Sequence, residues 1–304
     1  MAAFLVRRLV HTGFVLFGVT LLVFFLIRLG GDAAALYLPS DASRAEIEAF
    51  RETHGWNRPI PIQYLDFVTR LLQGDFGESL RHGEPALGLV LERLPATIEL
   101  TVVALAFAII IALPVGVLSA LYRNSLFDAV ARTLALLGLC MPQFWLGIML
   151  IIIFAVQLHV LPAFGRASLS NLILPGFTLG FSAAATIMRL LRSNVLEVIS
   201  MDYVRTARAK GLSHQVVLVR HILKNAAIPA VTIVGLQLGH LLSGAIVTET
   251  IFAYPGIGLL TVQAIGNRDF PVVQAFVVVT AIIFAFSNLA VDALYTLLDP
   301  RIRY

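Results

Sequence analysis

Charge is what this chain has least of. Asp, Glu, Lys and Arg make up 13% of its 304 residues, against 59% apolar residues, and mean hydropathy is +0.89. Soluble domains are about one quarter charged. The deficit excludes an ordinary water-soluble fold and points to a chain embedded in lipid. Cysteine is scarcer still. Cys140 stands alone inside an apolar run, so no internal disulfide can form and the redox compartment cannot be read from it. Signatures of chemistry are missing as well. The chain has no G-x-x-x-x-G-K-[ST] phosphate loop, which excludes nucleotide binding of that kind. It has no H-E-x-x-H, its 7 histidines show no zinc-ligand spacing, and no serine sits in a G-x-S-x-G elbow. No catalytic residue and no metal ligand is assigned. Internal repeats and low-complexity tracts are absent too.

What is present is a series of long apolar runs. A hydrocarbon core about 30 Å thick takes about 20 helical residues. Leu9–Leu29, Ile98–Leu121, Leu134–Val156, Ile228–Ile251 and Val272–Leu298 meet that length. Leu172–Leu191 is a weaker sixth, with Pro175, Gly176, Gly180 and a run of alanines. Small residues of that kind let helix backbones approach closely. The expected architecture is an all-α integral membrane protein, one domain over residues 1–304 with six transmembrane helices. The opening MAAFLVRR has the charge of a signal peptide. The run after it is too long for a signal core and no small-residue cleavage site follows, so a retained anchor is expected. Pro114, Pro142 and Pro175 are expected to kink their helices.

Six spans put both ends on one side, and the basic residues select it. Arg7, Arg8, Arg123, Arg132, Arg189, Arg192, Arg205, Arg208, Lys210, Arg220, Lys224, Arg301 and Arg303, 13 of 22 Lys and Arg, fall on the side of the N-terminus. The long opposite segment, residues 30–95, has six arginines and ten carboxylates. The positive-inside rule then places both termini in the cytoplasm. The outer segment carries its own helix signals. Ser43-Arg-Ala-Glu46 is a capping box, Gly55 is a stop, Pro59 and Pro61 break the chain, and Ile62, Leu65, Val68 and Leu72 recur at helical spacing up to Gly74. Short helices lying on the outer face are expected.

Between the fourth and fifth apolar runs lies a basic loop, residues 192–227. Val195–Lys210 reads as a helix whose last turns collect Arg205, Arg208 and Lys210, where the helix dipole favours cations. Gly211 suits the left-handed residue after its end. Ser213 reads as the cap of a second short helix to about Lys224, before Pro229 opens the next span. Ala207, Ala209 and Gly211 keep the elbow slim enough to seat in a groove on a partner, with cations fixing register. The alternative is a basic loop that only touches lipid headgroups.

The segment Asp202, Tyr203, Val204, Arg205, Thr206, Ala207, Arg208, Ala209, Lys210, Gly211, Leu212 resembles the cytoplasmic EAA-type motif of permease subunits in binding-protein-dependent ABC importers. The likeness is to the dipeptide/oligopeptide/nickel branch. QGDFGESL (Gln73–Leu80), RLPATIEL (Arg93–Leu100), TETIFAYPGIG (Thr248–Gly258), RDFPVVQA (Arg268–Ala275) and the terminal DPRIRY agree with it, so the resemblance spans the chain. Arg205 stands where the motif's naming glutamate would be, and Pro229 lies further from Gly211 than in sugar permeases; both are usual in this branch. GGDA at Gly30–Ala33 replaces the branch's commoner PGDP. The resemblance implies a type I ABC importer permease fold in a bacterial cytoplasmic membrane. It implies a coupling helix docked in a cytoplasmic ATPase, a second homologous permease subunit forming a heterodimer, one or two ATPase subunits that use ATP and Mg, and an extracytoplasmic solute-binding protein. No cofactor bound by this chain and no nucleic-acid partner is implied. Dipeptides, longer peptides, glutathione and nickel complexes are the branch's substrates. A short peptide is the expected one, since no histidine or carboxylate cluster marks the spans for nickel.

Polar groups inside the spans are the remaining candidates, because an ionisable group at the bilayer centre costs about 2.5–3.5 kcal/mol on insertion scales. Glu99 and Arg189 lie at span ends. Gln237, His240 and Ser243 form one stripe at three-residue spacing, and with Glu249 and Asn288 they are the candidate lining of a solute path. For Glu249 a structural hydrogen bond holding the turn before YPGIG is favoured, and for Asp292 a pairing at the inner rim. A secondary transporter is the competing reading. It would carry membrane carboxylates or histidines in functional pairs and a half-length repeat, and neither is visible. A membrane-embedded enzyme has no supporting motif. Moving a two-state carrier from 1:99 to 99:1 takes about 5.5 kcal/mol of differential binding, which this chain has no means to supply and a partner must.

Overall fold

The structure, a computed structural model, describes residues 2–29, 38, 42–53 and 55–298; for 2–9, 11, 26–29, 228 and 290–298 only the backbone course is described. GGDA, DPRIRY and the Asp292 side chain lie outside the described residues. Among these the chain is helical, and its β structure is a single antiparallel bridge between Glu78 and Pro85. Two compact units form, one from the chain up to Leu94 with Leu260–Phe286, the other from Pro95–Leu259 with the segment after Phe286.

In the first unit α1 (Ala2–Leu29) is followed by α2 (Arg44–Thr53) and α3 (Ile60–Leu72). The capping box forms: the Ser43 amide donates to Glu46 Oε2 at 2.7 Å and the Glu46 amide to Ser43 Oγ at 3.3 Å. These donors hold the Glu46 carboxyl below its usual value, the Ser43 amide most of all. Pro59 and Pro61 start α3 rather than break it, since Pro59 is its N-cap and Pro61 sits in its first turn, where no N–H is needed. Helix α3 packs on α1. Buried Phe24 meets Tyr64 and Phe67, and the Tyr64 hydroxyl lies 3.0 Å from that of Thr20. In the same unit QGDFGESL is tied to RDFP. Ser79 donates its hydroxyl to the Asp269 carboxylate, the Leu80 amide reaches Asp269 Oδ1 at 3.2 Å, and Arg81 reaches Asn267 at 2.8 Å.

The second unit holds most of α4 (Ala86–Leu121), α5 (Leu126–Cys140), α6 (Gln143–Leu150, continued as a π-helical stretch over Ile151–Gln157) and α7 (Ile173–Ile199). Then come α8 (Asp202–Ala209) and α9 (Lys224–Ile251). Helices α10 (Ile257–Gly266) and α11 (Phe270–Leu298) complete the chain. Among the described residues, four helices are long and apolar enough to cross a membrane, beginning at Ala86, Leu169, Pro229 and Phe270; α5 and α6 qualify only as a bent pair, and in α1 the apolar stretch is Thr12–Phe25. The expected span Leu134–Val156, with its kink at Pro142, falls on two helices bent by 108° at a break there. Pro142 is the cause. A residue before proline is pushed out of the helical region, and Met141 (ψ 125°) and Pro142 (ψ 131°) are both extended. Pro175 lies in the first turn of α7, and α4 runs through Pro114 without a break.

The weakest expected span is the central one. In the most apolar stretch of α7, 72% of residues are buried, against 33% in α4 and 28% in α9. Helix α7 packs on α5, α6 and α9, and its small residues allow close approach. A Cβ at Gly180 would collide with the Ala104 carbonyl of α4. Lower hydropathy is tolerated where protein, not lipid, surrounds a helix.

Candidate functional site

The elbow is built on the end of α7. The chain tightens at Ser200 and Met201, whose amides bond Glu197 and Val198 three residues back, and α7 ends there. The expected single helix Val195–Lys210 is thus two helices. In α8, Val204 (0% exposed) and Ala207 (5%) share one face. They pack into a cluster with Val195 and Val198 of α7 and Val217, Ile222 and Ala226 of the following helix. Asp202, Tyr203, Arg205, Thr206, Arg208, Ala209, Lys210, Gly211 and Leu212 are exposed. Ala207 therefore fits against its own chain, while Ala209 presents a slim outer surface. Helix α8 ends as its sequence dictates. Gly211 takes φ +79°, its amide bonds Arg208 at 2.9 Å and that of Leu212 bonds Ala207 at 3.4 Å, which is a Schellman ending. Ser213 is an N-cap without a side-chain hydrogen bond. The helix after it does not stop near Lys224; it continues through a π-helical stretch, Val217–Leu223, into α9 and past Pro229. Membrane helices tolerate such prolines because only local backbone bonds are lost. Asn225 at the head of α9 donates to the Tyr203 hydroxyl at 3.1 Å, clamping α8 from its outer side.

Above the elbow, α7 carries Arg192 into an ionic knot. Asp128 in the first turn of α5 is fully buried. Its Oδ1 accepts from Arg192 Nε (2.7 Å) and Ser119 Oγ (2.5 Å), and its Oδ2 from Arg192 Nη2 (2.8 Å) and the Asn124 amide (3.0 Å). The bidentate geometry suits a buried pair. Arg132 adds a looser contact at 3.5 Å. The sequence reading counted Arg192 and Arg132 only as inner charges and missed Asp128; the cue was a carboxylate three residues after Ser125 in a run whose one other charged residue is Arg132.

Gln237 and His240 line a cavity of about 170 Å³ together with Gln143 of α6 and Ser182 of α7. Leu179, Ala183, Leu241 and Gly244 form its apolar wall. Ser243 is not on it; its hydroxyl bonds the Gly239 carbonyl of its own helix at 3.2 Å. Asn288 is half-buried on α11 and does not line it.

Glu249 is elsewhere and fully buried. Its Oε1 accepts the Thr97 hydroxyl at 2.6 Å, and its Oε2 accepts the amides of Gly258 (2.7 Å) and Leu259 (3.0 Å). Thr97 Oγ1 in turn accepts the Ile257 amide at 2.9 Å. The three free amides at the start of α10 are thereby capped from α9 and α4. A Cβ at Gly256 would land on the carboxylate, which explains the first glycine in YPGIG. Nearby, Glu99 pairs with Arg166 at 2.6 Å and accepts the Tyr254 hydroxyl at 3.0 Å. Burial, then the Glu99 carboxylate, holds the Tyr254 phenol above its usual value, so it stays a donor.

A helical membrane chain with a basic elbow strapped beneath its central span has the build of a transporter's membrane subunit. The chain belongs to the family of binding-protein-dependent transport system inner membrane components, whose model matches residues 112–304. The model for the N-terminal part of such membrane components matches residues 1–101. It is 44% identical to the dipeptide transport system permease protein DppB of Alkalihalophilus pseudofirmus and 41% to the glutathione transport system permease protein GsiC of Pectobacterium atrosepticum. It is 39% identical to the oligopeptide transport system permease protein AppB of Bacillus subtilis, and each alignment covers 100% of both chains. Among solved structures, a chain of the inward-facing MetNI methionine ABC transporter superposes with a TM-score of 0.59 at 20% identity, covering 69% of this chain and 96% of that one. The fold is that of an ABC importer permease. The chain is an integral inner-membrane transport subunit, and ATP hydrolysis belongs to separate subunits of such systems.

Proposed function

We propose that this chain is one of two homologous permease halves of an importer for short peptides. Both termini face the cytoplasm, and residues 1–304 act as one permease domain of six spans. The exposed face of Asp202–Leu212 docks in an ATPase that uses ATP and Mg, and an extracytoplasmic solute-binding protein delivers the peptide. The observation that carries the reading is the two-faced α8, with Val204 and Ala207 fixed in the chain's own core and a row of cations and small groups left free. Any push on the free face reaches α7 directly through Val195 and Val198. Relatives named for dipeptide, oligopeptide and glutathione transport support a peptide substrate; glutathione, itself a tripeptide, belongs to the same class.

Co-expression with a candidate ATPase and affinity purification test the docking. Ala209→Trp, which adds bulk on the free face, is expected to abolish ATPase retention while the permease still purifies folded. Ion-gradient-driven transport by the chain alone, with no ATPase bound, would refute the proposal.

A further inference from the structure

The polar side chains around the cavity are gathered from several helices. Several hydroxyls in the membrane helices are satisfied by their own backbones: Thr101 bonds Thr97 O (2.8 Å), Thr178 bonds Leu174 O (2.7 Å) and Thr250 bonds Ile246 O (2.8 Å), while those of Thr248 and Thr280 are buried without a partner. Among the described residues, the side chains of Gln143, Ser182, Gln237 and His240 have no hydrogen-bond partner within the chain, yet all four come from three different helices to one cavity. Unpaired carboxamides are costly inside a membrane protein unless they face water or a ligand. Two carboxamides, a hydroxyl and an imidazole offer both donors and acceptors. No carboxylate, ammonium or guanidinium lines the cavity. At about 170 Å³, it has the volume of roughly six waters, enough for one peptide unit and too little for a whole oligopeptide.

We infer that this cavity is a transit site that binds the backbone amide of the passing peptide and is blind to its side chains. The inference rests on the peptide reading above and adds its chemistry. A carboxamide pairs with a peptide C=O and N–H by the same pattern with which peptide units pair with each other, whereas a charged side chain or terminus finds no counter-charge there. Selection among peptides is then left to the binding protein.

The test uses the assembled transporter, both permeases with ATPases and binding protein, in proteoliposomes at saturating loaded binding protein. Alanyl-phenylalanine, lysyl-alanine and glutamyl-alanine are imported by the parent and by Gln143→Leu and Gln237→Leu. Each variant is expected to slow all three peptides by the same factor, roughly fivefold to tenfold, the effect of one lost hydrogen bond. Ser182→Ala, a smaller change at an exposed position, is expected to act in the same direction. N-methylation of the peptide amide slows the parent by a similar factor and slows Gln237→Leu little further. Factors that diverge with peptide charge, additive effects of N-methylation and Gln237→Leu, or unchanged import overturn the inference. So does lower recovery of the second permease with normal import by the complexes that do assemble, since these groups would then hold a subunit. If the parent imports no peptide while its ATPases respond to the binding protein, the substrate reading itself falls.

Discussion

Asp128→Asn is the most informative single change at the base of the fold. Four donors converge on the carboxylate: two from Arg192, the Ser119 hydroxyl and the Asn124 amide. Each oxygen accepts two of them. An asparagine has one acceptor oxygen, so either amide orientation turns an NH₂ toward two donors and leaves the Arg192 guanidinium without its counter-charge. Breaking a buried pair by removing one partner costs about 3–5 kcal/mol. The Arg192 side chain is 17% exposed, so water relieves part of the loss and about 3 kcal/mol is expected. Arg192→Met alone leaves the fully buried carboxylate with only the Ser119 hydroxyl, the Asn124 amide and the looser Arg132 contact, and is expected to cost a similar amount. In the double variant Asp128→Asn/Arg192→Met the stranded charge is gone, and most of the loss should return, to within about 1 kcal/mol of the parent. Equilibrium unfolding of the purified permease in mixed detergent micelles measures all four corners of the cycle. A parent-like Asp128→Asn, or a double variant that merely sums the single losses, would refute the reasoning, because the knot would then be incidental to holding α5 on α7.

Three further outcomes follow from the geometry. Val204→Asp places a charge where α8 is fully buried, and Ala207→Trp overpacks the same seam, a change that typically costs about 1–3 kcal/mol; both should lower folded yield, read by size-exclusion chromatography, in contrast to Ala209→Trp. Glu249→Ala uncaps the Gly258 and Leu259 amides and the Thr97 hydroxyl, at about 1–3 kcal/mol for each buried donor left unsatisfied, and Gly256→Ala should lower stability by driving the same carboxylate off its donors; thermal unfolding of the two variants checks both. For Glu46 the folded carboxyl lies below the usual value, so its contribution is complete above the unfolded glutamate's pKa and is lost as pH falls through the folded one; amide protection at the start of α2, taken relative to intrinsic exchange at each pH, should therefore fall on acidification in the parent and be low at both pH values in Ser43→Ala.

How much of this was legible in the sequence follows the range of each interaction. The capping box at Ser43, the left-handed Gly211 and the apolar lengths of α4, α7, α9 and α11 are set within a few residues, and they were readable. The 108° bend at Pro142 was half-readable: proline marks the place, but its angle depends on two consecutive extended residues. The knot between Asp128 and Arg192 joins positions 64 apart, and the cap of α10 draws on Thr97 and Glu249, 152 apart. No period or spacing encodes such pairs. The side chosen by Ala207 is different, because its signal was present. In DYVRTARA the valine is the one branched apolar residue among polar neighbours, and it marks the buried face. Three residues on from Val204, Ala207 must share that face, while Ala209, two residues further along, must leave it. A short basic helix with two small residues thus divides its work: one alanine anchors the elbow to the permease, and the other leaves the outer surface slim enough for a partner to close on. That division lets a force on the free face reach α7 without passing through a flexible loop.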